Sequence, residues 1–271
     1  MIDALLLPLE LPFMQRALLI TTLVSIPMAL LSSFLVLKGW SLLGDAISHA
    51  VLPGVMVSFI VGLPLLIGAF ASGMVCALLT GYVSDNSRVK EDTVMGVVFS
   101  AMFALGIVLY GLVETEVHLD HILFGNMLGV SNSDIATAGA ISALVTAVIL
   151  LRRKDLTLQV FDPTHAQAIG LPVRALGILL LSLVSLSVVA ALNAVGLILA
   201  IALLIAPATI SLLWSTEFSR ILGLSVIVSA GSVWLGVYIS LYLDSAPAPT
   251  IVVVLTALFI GSFIKILLKH S

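Results

Sequence analysis

Long apolar segments separated by short polar ones follow one another along the whole chain. Windows bounded by charge or by glycine and proline give nine candidate membrane-spanning helices. They lie near residues 13–37, 40–62, 65–84, 94–113, 135–151, 176–192, 195–213, 221–243 and 250–268. Their lengths fall in the range of roughly 17 to 25 residues that a helix needs to cross a bilayer. We therefore predict an all-α, polytopic membrane bundle of eight to nine spans, with residues 1–271 forming a single transmembrane domain.

The boundary between the sixth and seventh segments is the least distinct. Residues 176–213 hold either two spans divided near 193–196, or one span followed by a broken helix. Asn193 and Pro207 interrupt these apolar runs, so they either line a transport path or serve ordinary helix packing. The pattern alone leaves both interpretations open.

Composition strengthens the membrane assignment. The chain is 61% hydrophobic and 9% charged, with a mean hydropathy of +1.28, whereas soluble domains carry about 25% charged residues. Continuous apolar runs also argue against a membrane β-barrel, whose strands alternate. A single cysteine, Cys76, excludes a disulfide framework and a cysteine metal cluster. The net charge of −3 says little about partners. We expect contact with membrane lipid and none with nucleic acid.

The basic residues orient the bundle, because Lys and Arg collect on the cytoplasmic side of membrane proteins. With nine spans and the N-terminus outside, only Arg16 of the eleven Lys and Arg residues falls outside. Those inside are Lys38, Arg88, Lys90, Arg152, Arg153, Lys154, Arg174, Arg220, Lys265 and Lys269. This orientation makes residues 114–134 the largest outer loop and residues 152–175 the largest cytoplasmic loop.

The segment GDAISHAVLPG, residues 44–54, places Asp45 and His49 inside the second predicted span. Their spacing of four puts both side chains on one helix face. Counted from Lys38 at the inner surface, they lie roughly 10 and 16 Å deep in a core about 30 Å thick, where ionisable residues are usually functional. Because carboxylates and imidazoles both bind divalent metals, we predict a site for Mn²⁺, Fe²⁺ or Zn²⁺. The alternative is a pair that only satisfies its own polar groups within the bundle.

Pro53 extends this prediction. Proline has no N–H, so the carbonyl of His49 loses its helical partner and can face a water-filled path or a cation. Two side chains and one carbonyl are too few for tight binding. Further ligands must come from another helix, another subunit or water, as suits a site that releases its ion.

The outer loop carries a cluster of acids and histidines: Glu114, Glu116, His118, Asp120 and His121. Such a cluster either gathers cations and meets a delivery protein, or is a solvated polar loop with incidental histidines.

The cytoplasmic loop contains the signals of a short helix. Asp162 followed by Pro163 is typical of a helix start, and Gly170 followed by Pro172 is typical of its end. A helix of about two turns is not stable alone, so it needs a surface to dock against.

Three motifs of enzymes are absent from the sequence. It contains no GxxxxGK[ST], HExxH or GxSxG, so a P-loop ATP site, a metalloprotease site and a serine hydrolase site are not supported. We therefore predict a protein that is not itself an enzyme and holds no permanent cofactor.

Several segments resemble the integral-membrane permeases of ABC importers for manganese, zinc and iron, over essentially the whole chain. They are LVLKGWSLLGDAISHAVLPGV near residue 40, EDTVMGVVFSAMFALGIVLYG from 91, EVHLDHILFGNMLGV from 116, FDPTHAQAIGLP from 161, AVGLILAIALLIAPATISLL from 194 and SAPAPTIVVVLTALF from 245. The GDxxSHxxLPG and FDxxHAxxxGLP patterns are specific to this group. The outer HLDHILFG and late SAPAPTIVV segments look most like permeases of chelated iron and manganese systems.

The resemblance implies a vitamin-B12-permease-like (type II) ABC importer, a multi-pass protein of the bacterial inner membrane. Two permease subunits, which are two copies of this chain or this chain and a paralogue, would surround the path. A cytoplasmic ABC ATPase dimer would drive it, and an extracytoplasmic metal-binding protein would deliver the ion. The family's membrane metal site maps onto Asp45 and His49. Its coupling helix maps onto residues 162–170, with Asp162, His165 and Gly170 expected to serve contact with the ATPase.

Two other functions compete with this one. A secondary transporter or channel could use the Asp45 and His49 pair for metal or protons, but it has no need of a capped cytoplasmic helix. An ABC permease for a siderophore or haem would need a wide cavity, whereas an acid and an imidazole suit a bare ion.

Overall fold

A computed structural model describes residues 11–112, 127 and 129–270 of the chain. Ten α-helices fill these ranges. They are α1 (Pro12–Lys38), α2 (Leu43–Val61), α3 (Leu65–Asp85), α4 (Glu91–Leu112), α5 (Asn132–Leu151), α6 (Arg153–Phe161), α7 (Pro163–Ala168), α8 (Val173–Trp214), α9 (Phe218–Tyr242) and α10 (Pro247–His270). The described residues form no strand, so the predicted all-α class is confirmed.

Nine segments in this part of the chain are long and apolar enough to cross a membrane. They correspond one to one with the nine predicted segments, and no end differs by more than three residues from its helix. The agreement follows from the strength of the signal, because each span is an apolar run closed by charge, glycine or proline.

Helix α8 holds two of these spans, Val173–Leu192 and Ala194–Trp214. The helical backbone breaks just after they meet, at Gly196, whose φ of 80° and ψ of 173° are not helical. Only glycine adopts this backbone conformation without a large steric cost. The uncertain boundary in the sequence is therefore a break between two spans that follow one another directly.

The core of the bundle is built around α1 and α8. Helix α1 packs against α5, α8 and α9, and α8 also contacts α2, α3, α5, α9 and α10. The α1 side chains of Ile20, Met28, Leu31, Phe34 and Leu35 have no exposed surface. Helix α4 lies at the side of this core, where it packs against α2 and α3. Helix α2 is consequently enclosed by α3, α4 and α8.

Buried serines join the central helices through hydrogen bonds. Ser33 of α1 donates to the hydroxyl of Ser225 on α9 over 3.1 Å, and Ser225 lies 3.1 Å from the hydroxyl of Ser211 on α8. Ser32 accepts from the backbone N–H of Ala208 at 3.3 Å. Interhelical bonds of this kind hold helices together where apolar burial alone gives no driving force.

Candidate metal site

Helix α2 is held at close range on three sides. At Gly44, an added Cβ would lie 2.5 Å from Leu204 of α8. At Gly54, it would lie 2.0 Å from the carbonyl oxygen of Gly68 on α3, and at Gly106 of α4 it would lie 2.9 Å from Pro53. Small residues let the backbones approach in this way, as is common between membrane helices. The position and rotation of α2 are therefore fixed by close contacts at these three glycines, of which that between Gly54 and Gly68 is to the backbone.

Asp45 and His49 form the open edge of this enclosed helix. The Nε2 atom of His49 lies 3.3 Å from Oδ1 of Asp45, and the two side chains are 24% and 30% exposed, respectively. All other residues from 43 to 53 are buried. The predicted pairing on one face is thus present, and the rest of this segment is closed around it.

The separation of the two atoms suits ligands of a single ion. Two metal–ligand bonds of about 2.1 Å that meet at about 90° to 110° place their donor atoms about 3.0 to 3.5 Å apart. The observed 3.3 Å falls inside this range. The described residues contain no group of three or more His, Cys, Asp and Glu side chains that could hold a metal. Asp45 and His49 can thus provide two ligands, and a complete coordination shell needs others.

The imidazole of His49 lies against two aromatic rings of α4. The ring of Phe99 is stacked at a centroid distance of 5.7 Å and an interplanar angle of 27°. The ring of Phe103 meets it edge-on at 5.0 Å and 73°. Sequence reasoning missed both residues, because two phenylalanines four apart in an apolar helix look like ordinary packing.

The predicted path-lining residues occupy different places. Pro53 is buried in α2 and packs against α4 at Gly106. Pro207 is buried in the second span of α8, next to the Ala208 N–H that donates to Ser32. Asn193 lies in α8 just before the break at Gly196, and its side chain is outside the described part.

The outer-loop cluster also lies outside the described residues. It comprises Glu114, Glu116, His118, Asp120 and His121, so its role in ion entrance stays a prediction from the sequence.

The short cytoplasmic helix has the caps that the sequence predicted. The carboxylate of Asp162 accepts from the backbone N–H of His165 at 2.9 Å and from the hydroxyl of Thr164 at 2.6 Å. These bonds, with that of Thr164 the largest cause, lower the pKa of Asp162. Gly170 follows the helix with a φ of 86°. Within α7 only Ala166 is buried, which leaves the other side chains, including that of His165, on the surface.

A separate helix precedes α7 and connects it to the bundle. Helix α6 buries Leu156 against the core, and its last residue, Phe161, packs edge-on against Phe218 of α9 at 5.4 Å. Phe218 in turn packs edge-on against the fully buried Phe34 of α1 at 5.1 Å. Arg153 also donates to the hydroxyl of Ser219. The sequence pattern predicted a loop for residues 152–162, so α6 was not predicted.

The described part of the chain has nine apolar spans, a polar pair in one of them and an exposed, capped helix at the cytoplasmic end. These are features of a helical membrane transport protein. The chain matches the ABC 3 transport family over residues 10–266. It belongs to this family, which confirms the membership that the motifs indicated. The family and the spans make it a multi-pass protein of the bacterial inner membrane, and an ABC transport family implies an ATP-hydrolysing partner and a substrate-binding partner.

Relatives and a solved structure are similar over nearly the whole chain. The chelated iron transport system membrane protein YfeD of Yersinia pestis is 51% identical over 257 residues, which cover 95% of this chain and 86% of that protein. The manganese transport system membrane protein MntB of Synechocystis sp. is 46% identical and the match covers 95% and 84%. The structure of PsaBC from Streptococcus pneumoniae in complex with Fab has a TM-score of 0.87 at 38% identity, covering 97% and 95%.

Proposed function

We propose that the chain is the permease subunit of an ATP-driven importer that carries manganese or iron ions into the cytoplasm. The observation that carries this proposal is the Asp45 and His49 pair, whose donor atoms lie 3.3 Å apart. The pair forms the open edge of residues 43–53 of α2, which are otherwise buried. The relatives named for chelated iron and manganese transport support the choice of ion. The donor set also suits Zn²⁺.

The ion is the transported substrate and passes through the site without covalent chemistry. A carboxylate and a neutral imidazole replace part of its water shell roughly midway across the membrane. Because these two groups lie at an exposed edge of α2, a second permease subunit can face them and supply further ligands. That subunit is a second copy of this chain or a paralogue.

ATP hydrolysis belongs to a partner subunit in this proposal, since the chain has no P-loop sequence. The exposed helix α7 is the docking element for a cytoplasmic ATPase dimer. Contacts of Phe161 with Phe218, and of Phe218 with Phe34, connect it to α9 and α1. Helices α1 and α9 both pack against α8, which in turn packs against α2. Motion of the ATPase can therefore reach the site through α8, after an extracytoplasmic binding protein has delivered the ion.

The two competing functions fit less well. A secondary transporter works without an ATPase, whereas the chain belongs to an ABC transport family. A siderophore or haem permease needs a wide cavity, whereas two donor atoms 3.3 Å apart are spaced for one bare ion.

Uptake of radiolabelled Mn²⁺ tests the proposal in a strain that lacks its other manganese importers. Asp45→Ala should abolish uptake while the protein remains in the membrane, because the ion loses its charged ligand. Asp92→Ala, which removes an exposed carboxylate at the start of α4, is the matched control and should transport normally. Near-normal uptake by Asp45→Ala at equal membrane abundance would remove Asp45 from the site.

A further inference from the structure

The second ring nitrogen of His49 is in an unusual environment for a metal ligand. Nδ1 is buried and has no hydrogen-bond partner in the part of the chain that the structure describes. Its ring is enclosed by Phe99 and Phe103, at centroid distances of 5.7 and 5.0 Å. Aromatic contacts, and not a hydrogen bond at Nδ1, therefore hold the imidazole in place.

This arrangement matters because of where the ring hydrogen must lie. Nε2 faces the carboxylate of Asp45, so it is the nitrogen that can bind an ion between the two side chains. A neutral imidazole has one N–H, and the metal-binding nitrogen carries no hydrogen, so the hydrogen then lies on Nδ1. In most metal sites that N–H donates to a carboxylate, carbonyl or water, which orients the ring and makes it a stronger ligand. Among the described residues, Nδ1 of His49 has no hydrogen-bond partner, and the two rings that lie against the imidazole are at most weak acceptors.

The two phenylalanines are firmly placed. They lie one turn apart on α4, so both rings face the same side of that helix. Three residues beyond Phe103, Gly106 contacts α2 so closely that a Cβ there would lie 2.8 Å from Leu52 and 2.9 Å from Pro53. The enclosure around His49 is thus fixed to the helix that carries His49.

We propose that Phe99 and Phe103 are positioning residues that orient His49 and, by offering no strong acceptor to Nδ1, keep its bond to the ion weak enough for rapid release. The inference rests on the proposed function, because it concerns an ion held by Asp45 and His49. An importer must release its ion in every cycle. A histidine with a strong acceptor at Nδ1 would hold the ion longer and slow turnover.

Phe103→Gln tests this directly, since glutamine has an amide oxygen that can accept from Nδ1–H. In the complex of permease and ATPase, equilibrium binding of Mn²⁺ should tighten about ten-fold, the size of effect typical of such acceptors. Uptake should show a lower KM together with a lower kcat. Phe103→Leu, which is apolar and lacks the ring, should bind Mn²⁺ more weakly than the wild type because the imidazole loses its support.

Two further variants keep the test decisive. Phe99→Gln places an amide acceptor at the position of the other phenylalanine and replaces Phe103→Gln in the test if that variant does not fold. Phe263→Gln places the same amide at an exposed position of α10 and should leave Mn²⁺ binding unchanged. If both glutamine variants of α4 bind Mn²⁺ no more tightly than the wild type, the inference is wrong. If Asp45→Ala then loses Mn²⁺ binding, the proposed function stands even though the inference about Phe99 and Phe103 is wrong.

Discussion

Helices α2 and α3 cross at Gly54 and Gly68, where an alanine should be damaging. A Cβ on Gly54 would lie 2.0 Å from the carbonyl oxygen of Gly68 and 2.5 Å from Cβ of Ser72. Ordinary contact begins at 3.4 Å, so the two backbones would have to separate by about 1.4 Å. A backbone carbonyl cannot rotate away as a flexible side chain would. Gly54→Ala should therefore displace the helix that carries Asp45 and His49.

The free energy of this change can be worked out. Overpacking a tight core lowers the free energy of unfolding by about 1 to 3 kcal/mol. A clash between two backbones should lie near the upper end, at about 3 kcal/mol, because neither can rotate away. Alanine recovers up to about 1 kcal/mol through its higher helix propensity. Gly54→Ala should thus lower the free energy of unfolding by about 2 kcal/mol, and the melting temperature by several degrees. Gly81→Ala is the matched control on α3, since its Cβ would meet nothing within 4 Å; it should stabilise by up to about 1 kcal/mol.

Thermal unfolding of the purified permease in detergent measures both variants. Uptake of Mn²⁺ by the same variants should fall for Gly54→Ala and stay normal for Gly81→Ala. Equal melting temperatures for the two variants would contradict the close crossing of α2 and α3, and with it the explanation of how α2 is held.

The cytoplasmic helix gives two more predictions. Asp162→Ala should reduce transport-coupled ATP hydrolysis because α7 loses its N-cap, whereas Asp162→Asn retains an acceptor oxygen and should stay coupled. Since the pKa of Asp162 is lowered, the cap is fully formed above the ordinary value of about 3.9 and is lost only as the pH falls through the lowered pKa. The wild type and the Asp162→Asn variant should therefore show the same pH dependence of coupled ATP hydrolysis from about pH 6 to 8, and a difference would contradict this. Gly170→Pro should uncouple transport from ATP hydrolysis in reconstituted vesicles, because proline cannot adopt a φ of 86°. Unchanged transport-dependent turnover would refute the role of this helix end.

The sequence predicted those features whose signals are local. Apolar length and charge determined the spans, and the spacing of Asp45 and His49 determined that they meet on one face of α2. The signals for α7 are equally local, because Asp162 and Pro163 mark its start and Gly170 marks its end within a few residues of the helix.

Features that depend on which helices meet could not be predicted. The chain has 20 glycines, and nothing local marks Gly54 and Gly68 as the two that face each other. Phe99 and Phe103 enclose His49 only because α4 packs against α2. Helix α6 was missed because its N-cap residue, Arg152, makes no side-chain cap and because no apolar run marks the helix as a span.

Pulsed EPR of Mn²⁺ bound to the permease complex tests the central claim most directly, because it detects a nitrogen ligand on the ion. The wild-type complex should show nitrogen modulation from an imidazole. His165→Ala, which removes an exposed histidine of α7, should leave the signal unchanged, and His49→Ala should lose it. Nitrogen modulation that persists in His49→Ala at equal Mn²⁺ occupancy would contradict the assignment of Asp45 and His49 as the metal site.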